Sequence, residues 1–165
     1  MDRCAECGFE YDLDQAPQAA ALIIEGCSEL AALLTVGGSA ATTRPEPLSW
    51  SALEYGCHLR DVLLVQRERV LAARRMDKPS FDPMGRDERV EHDGYSEQRT
   101  ADVARQLGDA ALMFANDLSR LTPADWERSV MYNYPALFER SLRWVAVHTV
   151  HEVRHHLLDV QRRLA

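Results

Sequence analysis

Apolar positions recur at helical spacing in four stretches of this 165-residue chain. The first stretch is rich in Ala, Leu and Ile and is followed by a glycine pair, which is typical of a helix C-terminus. The second contains a serine with a glutamate three residues later, the pattern of a capping box. Because no strong strand pattern accompanies these stretches, they predict an all-α fold, a four-helix bundle. The predicted helices cover about residues 16–36, 49–75, 100–121 and 138–163.

The segments between the predicted helices are rich in turn-forming and charged residues. Residues 37–47 contain glycine, serine, threonine and prolines and predict a loop. Residues 76–98 form a longer loop, and a loop of that length in a compact domain is usually functional or contains short elements of its own. Residues 129–137 predict a short irregular connection. We therefore expect a bundle over residues 15–165 and a separate small unit at residues 1–14 that carries two cysteines.

The charge of the chain argues against two classes of partner. The formal net charge is -7 and the pI is near 5.3. Nucleic acids and anionic membrane surfaces attract basic stripes, so neither is an expected partner. We see no apolar run that approaches the roughly 20 residues of a membrane span, and the acidic N-terminus does not have the pattern of a signal peptide. These features favour a cytoplasmic protein.

Histidines cluster in the last predicted helix, where four of the six in the chain fall within nine residues. His151 and His155 are one helical turn apart, the spacing with which two imidazoles chelate one ion from a single helix. A third ligand must come from another helix, and His58 is the remaining histidine on a predicted helix. The sequence therefore predicts a metal site of His58, His151 and His155 in the bundle core.

Residues 151–155 also form a literal HExxH sequence, the pattern of zinc metalloproteases. In that interpretation His151 and His155 bind zinc and Glu152 is the general base. The context argues against a protease, since such enzymes usually take a third ligand downstream and shape their cleft with a strand. Glu152 stays a candidate general base, with an ordinary solvated helix glutamate as the alternative.

Two sequence patterns together resemble the DinB/YfiT-like superfamily. The first is W-S-x-x-E-x-x-x-H-L-x-D, which falls on residues 50–61 and contains His58. The second is H-x-x-x-H at His151 and His155, and the segment LTPADWER before the last helix is also similar to the family. The resemblance spans about residues 16–163. It implies a four-helix bundle that holds a divalent metal with three histidines.

The reaction follows less directly from the resemblance, because fold alone does not determine chemistry. Relatives include thiol-dependent S-transferases, which use bacillithiol or mycothiol, and maleylpyruvate isomerase. The resemblance thus implies a metal-dependent transferase or isomerase that acts on a small molecule with a low-molecular-weight thiol as cosubstrate. A metal-dependent hydrolase and a non-catalytic, stress-related metal-binding protein are the alternatives. A homodimer is one of the open oligomeric states.

Three neutral histidines leave at least one coordination position open, which is the ligation of a catalytic site. Zinc is the first expectation, while nickel, iron, manganese or cobalt fit the same ligands. A carboxylate that accepts the second ring N–H would orient each histidine. Glu54, Asp61 and Asp159 lie within about one turn of the predicted ligands and are the candidates.

Cys4 and Cys7, followed by glycine and phenylalanine, have the form of half a zinc knuckle. A second pair of ligands must come from elsewhere, with Cys27 and Cys57 among the options. We expect a second, structural zinc held by Cys4, Cys7, His148 and His156. A redox dithiol and plain reduced thiols are the alternatives.

The long loop over residues 76–98 contains side chains suited to an anionic substrate. Arg86, Arg89 and Tyr95 are the candidates, because arginine binds carboxylates and phosphates well. The alternative is a solvated, charged loop without a binding role.

Overall fold

The computed structural model describes residues 3–165 and confirms a predominantly helical fold. Four long helices form the bundle, and two short helices lie between them. The helices are α1 Ala19–Val36, α2 Ala52–Arg75, α3 Arg86–His92, α4 Thr100–Leu118, α5 Pro123–Trp126 and α6 Leu142–Leu164. Short 3-10 helices lie at Leu13–Gln18, Gly38–Thr42 and Tyr95–Glu97.

The first two long helices of the bundle make few contacts with each other. Helix α1 packs mainly on α4 and α6, and α2 packs on the same two helices. Helices α1 and α2 therefore lie diagonally across the bundle, although they follow each other in the chain. This arrangement places α2 directly against α6, where the predicted ligands lie.

The N-terminus of α2 has the capping box that the sequence predicted. The Ser51 hydroxyl accepts a hydrogen bond from the Glu54 backbone N–H at 3.3 Å, and the Glu54 carboxylate accepts one from the Ser51 N–H at 2.8 Å. Arg44 donates to the same carboxylate, with Nε 2.9 Å from Oε2. Glu54 is completely buried, so this ion pair and the cap together satisfy its charge. The start of α2 at Ala52 is thereby fixed six residues before His58.

Residues 129–133 and 137–141 form strands, so the expectation of an irregular connection over residues 129–137 is wrong. Strands β2 (Ser129–Asn133) and β3 (Leu137–Ser141) pair antiparallel, and β1 (Ser80–Phe81) joins β2 in parallel. Alternate residues Val130 and Tyr132 are buried, the period of a half-buried strand. Because β3 continues to residue 141, α6 begins at Leu142, four residues later than predicted.

Helix α1 is more apolar than expected from the sequence, where no run near the length of a membrane span was predicted. An 18-residue window within Leu13–Val36 has a mean hydropathy of 1.7, and the segment is long and apolar enough, by length and composition only, to cross a membrane. In the fold this segment is a bundle helix whose buried side packs on α4 and α6. Its buried residues are Ala19, Ile23, Cys27, Leu30 and Leu34.

Candidate metal centre

Helix α6 supplies most of the ligand-type side chains of the candidate site. Ser141 caps it, accepting a hydrogen bond from the Trp144 backbone N–H at 3.2 Å. From this start the helix directs its histidines and Glu152 toward α2 and toward the N-terminal segment. These side chains are buried or half-buried, and their ligand atoms form four overlapping groups, two of which include residues from outside α6.

The first group contains His58, Glu152 and His156, whose ligand atoms all lie within 4.8 Å of one another. His156 Nε2 is 3.6 Å from Glu152 Oε2, and the rings of His58 and His156 are 5.0 Å apart between centroids. Two donors bound to one zinc-sized ion lie about 3.4 Å apart for bonds near 2.1 Å and tetrahedral angles. The group therefore fits a divalent ion after only small side-chain movements.

Hydrogen bonding in the first group also fits a metal site. His58 Nδ1 is buried without a hydrogen-bond partner among the described residues, which is costly for a polar atom unless something binds the ring. His156 Nδ1 lies 3.1 Å from Asp159 Oδ2, so this carboxylate holds the ring and leaves Nε2 facing Glu152. Metal-bound histidines are usually oriented in this way.

The pKa values of this group show how strongly its side chains interact. Burial and the nearby charge of His156 lower the pKa of His58 to about 3, which keeps its imidazole neutral. Burial also opposes charge on His156, but hydrogen bonds to Asp159 and Glu152 outweigh it and raise the pKa of His156 to about 9. Despite burial, the His151 and His156 hydrogen bonds hold the pKa of Glu152 well below its usual range.

The second group contains Cys4, Cys7, His151 and His155, again with ligand atoms within 4.8 Å of one another. Cys4 Sγ is 3.8 Å from His155 Nδ1. Burial raises the pKa of Cys4, yet hydrogen bonds from the Cys7 backbone and from His151 outweigh it and lower the value to about 6. The two thiols thus meet two imidazoles at the surface of α6.

The structure therefore combines the predicted ligands differently. His58 lies with Glu152 and His156, whereas His151 and His155 lie with the cysteine pair. The physical reason is the rotation of α6 about its axis. Residues 152 and 156 have the same four-residue spacing as residues 151 and 155, and it is the former pair that faces α2. Glu152, expected as a general base, is the carboxylate of the first group.

The predicted second zinc set of Cys4, Cys7, His148 and His156 stays a prediction, and the structure groups the cysteines with other histidines. Cys4 and Cys7 do meet two histidines of α6, but not His148 and His156. His148 instead lies beneath Tyr11, whose hydroxyl oxygen is 2.9 Å from His148 Nδ1. Its ring stacks on Trp144 with centroids 4.5 Å apart.

Of the three carboxylates expected to orient ligands, the structure places one beside a histidine of the first group. That residue is Asp159, which contacts His156. Glu54 is paired with Arg44 at the start of α2. Asp61 accepts from the hydroxyl of Tyr95 at 2.6 Å and from Arg60 and Arg89. Helix periodicity alone could not separate these roles, because all three residues lie near a predicted ligand.

A cavity of about 680 Å³ lies beside both groups, under the β2–β3 hairpin and α3. Of the three predicted substrate-binding residues, Arg86 lines this cavity, while Arg89 and Tyr95 lie elsewhere and bind Asp61. Two further arginines, which were not predicted from the sequence as binding residues, line the cavity wall: Arg69 and Arg140.

A signal for Arg69 was present, since it follows His58 by about three helical turns and so lies on the same face of α2. Arg140 carried no such signal, because it lies on a strand that was not predicted. The cavity wall is completed by aromatic side chains, among them Tyr132 and Trp144.

Comparison with solved structures finds the same architecture in YfiT from Bacillus subtilis, a probable metal-dependent hydrolase with an unusual four-helix bundle topology. The TM-score is 0.69 at 16% sequence identity, with 87% of this chain and 86% of that chain covered. At this identity the likeness establishes the fold. No curated protein matches the chain.

The family comparison covers most of the bundle. The sequence family described as the DinB superfamily matches residues 26–160, which include α2, most of α6 and every residue of the first ligand group. The predicted resemblance is confirmed: this chain belongs to the DinB superfamily.

Proposed function

We propose that this protein is a divalent-metal-dependent transferase or isomerase that acts on a small anionic molecule with a low-molecular-weight thiol, of the mycothiol or bacillithiol type, as cosubstrate. The observation that carries the proposal is the convergence of His58, Glu152 and His156 on an arginine-lined cavity. Three donors are fewer than the four of a closed structural site, so an exogenous ligand has a place to bind. When bound, the ion supplies the Lewis acidity that favours the ionised form of a thiol or of water.

The donor set supports a borderline divalent ion. Two imidazoles and a carboxylate suit zinc, and they also suit nickel, iron, manganese and cobalt. Asp159 would orient His156 toward the ion, and the buried, neutral His58 would donate from α2. Both contributions come from side chains already held by the fold, so little reorganisation accompanies metal binding.

The arginines of the cavity support an anionic substrate. Within residues 3–165, neither Arg69 nor Arg140 forms an ion pair with a carboxylate. Arg69 is held by Gln66 at 3.0 Å and lies over the Tyr132 ring at 4.4 Å. A buried guanidinium without a charged partner favours binding of a carboxylate or phosphate.

The cavity volume supports a reaction between two molecules. About 680 Å³ accommodates a small substrate together with part of a thiol cosubstrate. Trp144 and Tyr132 offer flat apolar surfaces near the donors, and Arg140 lies 4.7 Å above the Trp144 ring. The apolar wall and the cationic groups would together orient an amphipathic molecule.

Hydrolysis is the second candidate, favoured by His148. Burial lowers the pKa of this imidazole to about 4, so it is neutral and available as a base at ordinary pH. Its Nε2 lies 3.8 Å from Glu152 Oε1, close to the first ligand group. The similarity in fold to YfiT is consistent with this second candidate.

Cobalt spectroscopy of a Cys4→Ser/Cys7→Ser variant tests the proposal directly. With these thiols removed, the sulfur of an added thiol is the expected source of a sulfur-to-cobalt charge-transfer band. We expect this band on addition of mycothiol or bacillithiol. A further His156→Ala substitution should abolish the band, and Cys27→Ala should leave it unchanged.

Activity assays separate the alternatives. Consumption of thiol in the presence of a carboxylate-bearing electrophile, with KM raised by Arg69→Met, supports a transferase. Ester or amide cleavage without a thiol effect would instead establish the hydrolase. Thiol-dependent rearrangement of an anionic substrate without net consumption of thiol would support an isomerase. Metal binding with none of these reactions would contradict catalysis and favour a metal-binding protein. We also expect a cytoplasmic location, because α1 finds apolar partners within the bundle.

A further inference from the structure

The N-terminal segment folds into a compact loop that presents two thiols to α6. The Cys4 backbone N–H donates to the Phe9 carbonyl at 2.8 Å, and the Gly8 N–H donates to the Cys4 carbonyl at 2.9 Å. Gly8 has a φ of 71°, in the left-handed region that glycine adopts without strain. The tight turn after Cys7 brings its thiol to the same side as that of Cys4.

The thiols meet two histidines at a spacing that suits one ion. All four ligand atoms lie within 4.8 Å of one another, and Cys4 Sγ is 3.8 Å from His155 Nδ1. For bonds of about 2.3 Å to sulfur and 2.0–2.1 Å to nitrogen, tetrahedral angles put these atoms about 3.6 Å apart. A small contraction around an ion would complete the geometry.

The ring nitrogens that face away from the thiols already have carboxylate neighbours. His151 Nδ1 is 3.2 Å from Glu152 Oε1, and His155 Nε2 is 3.3 Å from Glu6 Oε2 and 3.7 Å from Asp159 Oδ2. The other nitrogen of His151, Nε2, is buried without a partner in the part of the chain that the structure describes. His151 is only 8% exposed, so water does not readily satisfy this atom.

We propose that Cys4, Cys7, His151 and His155 form a closed zinc site that fastens the N-terminal segment to α6. Two thiolates and two neutral imidazoles balance the double positive charge of the ion and occupy all four tetrahedral positions. This structural site is separate from the open site of His58, Glu152 and His156, since no ligand is shared. It therefore does not depend on the proposed function of the open site.

The N-terminal segment forms one wall of the cavity, so a zinc ion that holds this segment would also hold the cavity wall. Cys4, Glu6 and Tyr11 line the cavity, and the Phe9 ring packs 5.4 Å from the His151 ring. Between residues 3 and 11, Phe9 is the buried apolar residue, so the segment has little core of its own. Metal at this site would hold the wall in place and set the size of the cavity.

Metal counting tests the proposal. Purified wild-type protein should hold two equivalents of metal by elemental analysis, and the Cys4→Ser/Cys7→Ser variant should hold one. A matched Cys27→Ala/Cys57→Ala variant, which removes two buried thiols elsewhere, should keep two. His156→Ala should lose the other ion and retain the thiolate-bound one, so failure of the open site and failure of this site are distinguishable.

Wild-type protein supplies a second measurement that does not depend on the folding of a variant. Cobalt-substituted wild type should show a thiolate-to-cobalt charge-transfer band and intense tetrahedral absorption without any added thiol. Metal removal should speed amide exchange of Gly8, whose hydrogen bond closes the loop. A wild-type stoichiometry of one that the cysteine substitutions leave unchanged would overturn the proposal. A native Cys4–Cys7 disulfide in protein prepared under reducing conditions would overturn it as well.

Discussion

Helix α1 lies close to α6 at Gly26, and enlarging this residue should disturb both stability and the site. A Cβ added at Gly26 would lie 2.4 Å from Val153 Cγ1. Carbon atoms in ordinary contact are about 3.5–4.0 Å apart, so the two helices must separate by roughly 1 Å or Val153 must move. Val153 follows Glu152 in the chain, and the strain would reach the first ligand group.

The net effect of Gly26→Ala is the difference between two opposing contributions. Alanine in a helix interior is about 1 kcal/mol more favourable than glycine. Overpacking of a filled interface costs about 1–3 kcal/mol. We therefore expect the free energy of unfolding to change by between about 0 and -2 kcal/mol.

Gly108 in α4 is the matched control, because nothing lies within 4 Å of a Cβ placed there. Gly108→Ala should gain the full helical preference of about 1 kcal/mol. The two variants should thus differ by about 1–3 kcal/mol, or about 2–12 °C in Tm for a protein of this size. Thermal and urea unfolding of metal-free protein measure the difference without contributions from ligand binding.

A double substitution shows whether Val153 is the cause. Val153→Ala in the Gly26→Ala background removes the Cγ1 atom that the added Cβ would meet, and the pair should show a favourable coupling of about 0.5–3 kcal/mol. If Gly26→Ala stabilises the protein as much as Gly108→Ala does, the close approach of α1 and α6 is refuted.

Three further predictions each concern one side chain. Arg44→Ala leaves the buried Glu54 carboxylate without its ion-pair partner, so the free energy of unfolding in urea titrations should fall by about 1–3 kcal/mol. An unchanged urea midpoint would contradict the ion pair. Asp159→Asn should weaken metal binding about 10–100-fold in chelator competition by releasing His156, and equal affinity would argue against this orientation. Burial raises the pKa of Cys27 from 9.0 to about 12, so the unfolded thiol ionises first. The free energy of unfolding, measured in urea titrations, should consequently fall above pH 9 by up to about 1.4 kcal/mol per pH unit. Cys27→Ala should remove this contribution to the pH dependence of the free energy of unfolding.

The helices of the bundle could be predicted from the sequence because their signals are local. Ser51 and Glu54 define the start of α2 through a hydrogen-bonding pattern within one turn, and the structure has this cap. The β2–β3 hairpin was missed because its strands are short and only Val130 and Tyr132 mark the buried side. These strands depend on contacts with β1, which lies about fifty residues earlier in the chain.

The candidate site shows a different limit of sequence reasoning. Periodicity establishes that residues four apart share a face of α6, but it does not say which face meets α2. Two pairs have this four-residue spacing, His151 with His155 and Glu152 with His156. Tertiary packing makes the choice, and in the structure it turns Glu152 and His156 toward His58.

The diagonal placement of α1 and α2 has a consequence for how the protein folds. The first two helices to be synthesised have few contacts with each other, so they cannot form a stable hairpin before α4 and α6 are present. Contacts between α1 and α6 span most of the chain, and such contacts slow folding because long loops must close first. Since α6 also carries most of the ligand groups, metal loading during translation should begin only once this helix has left the ribosome.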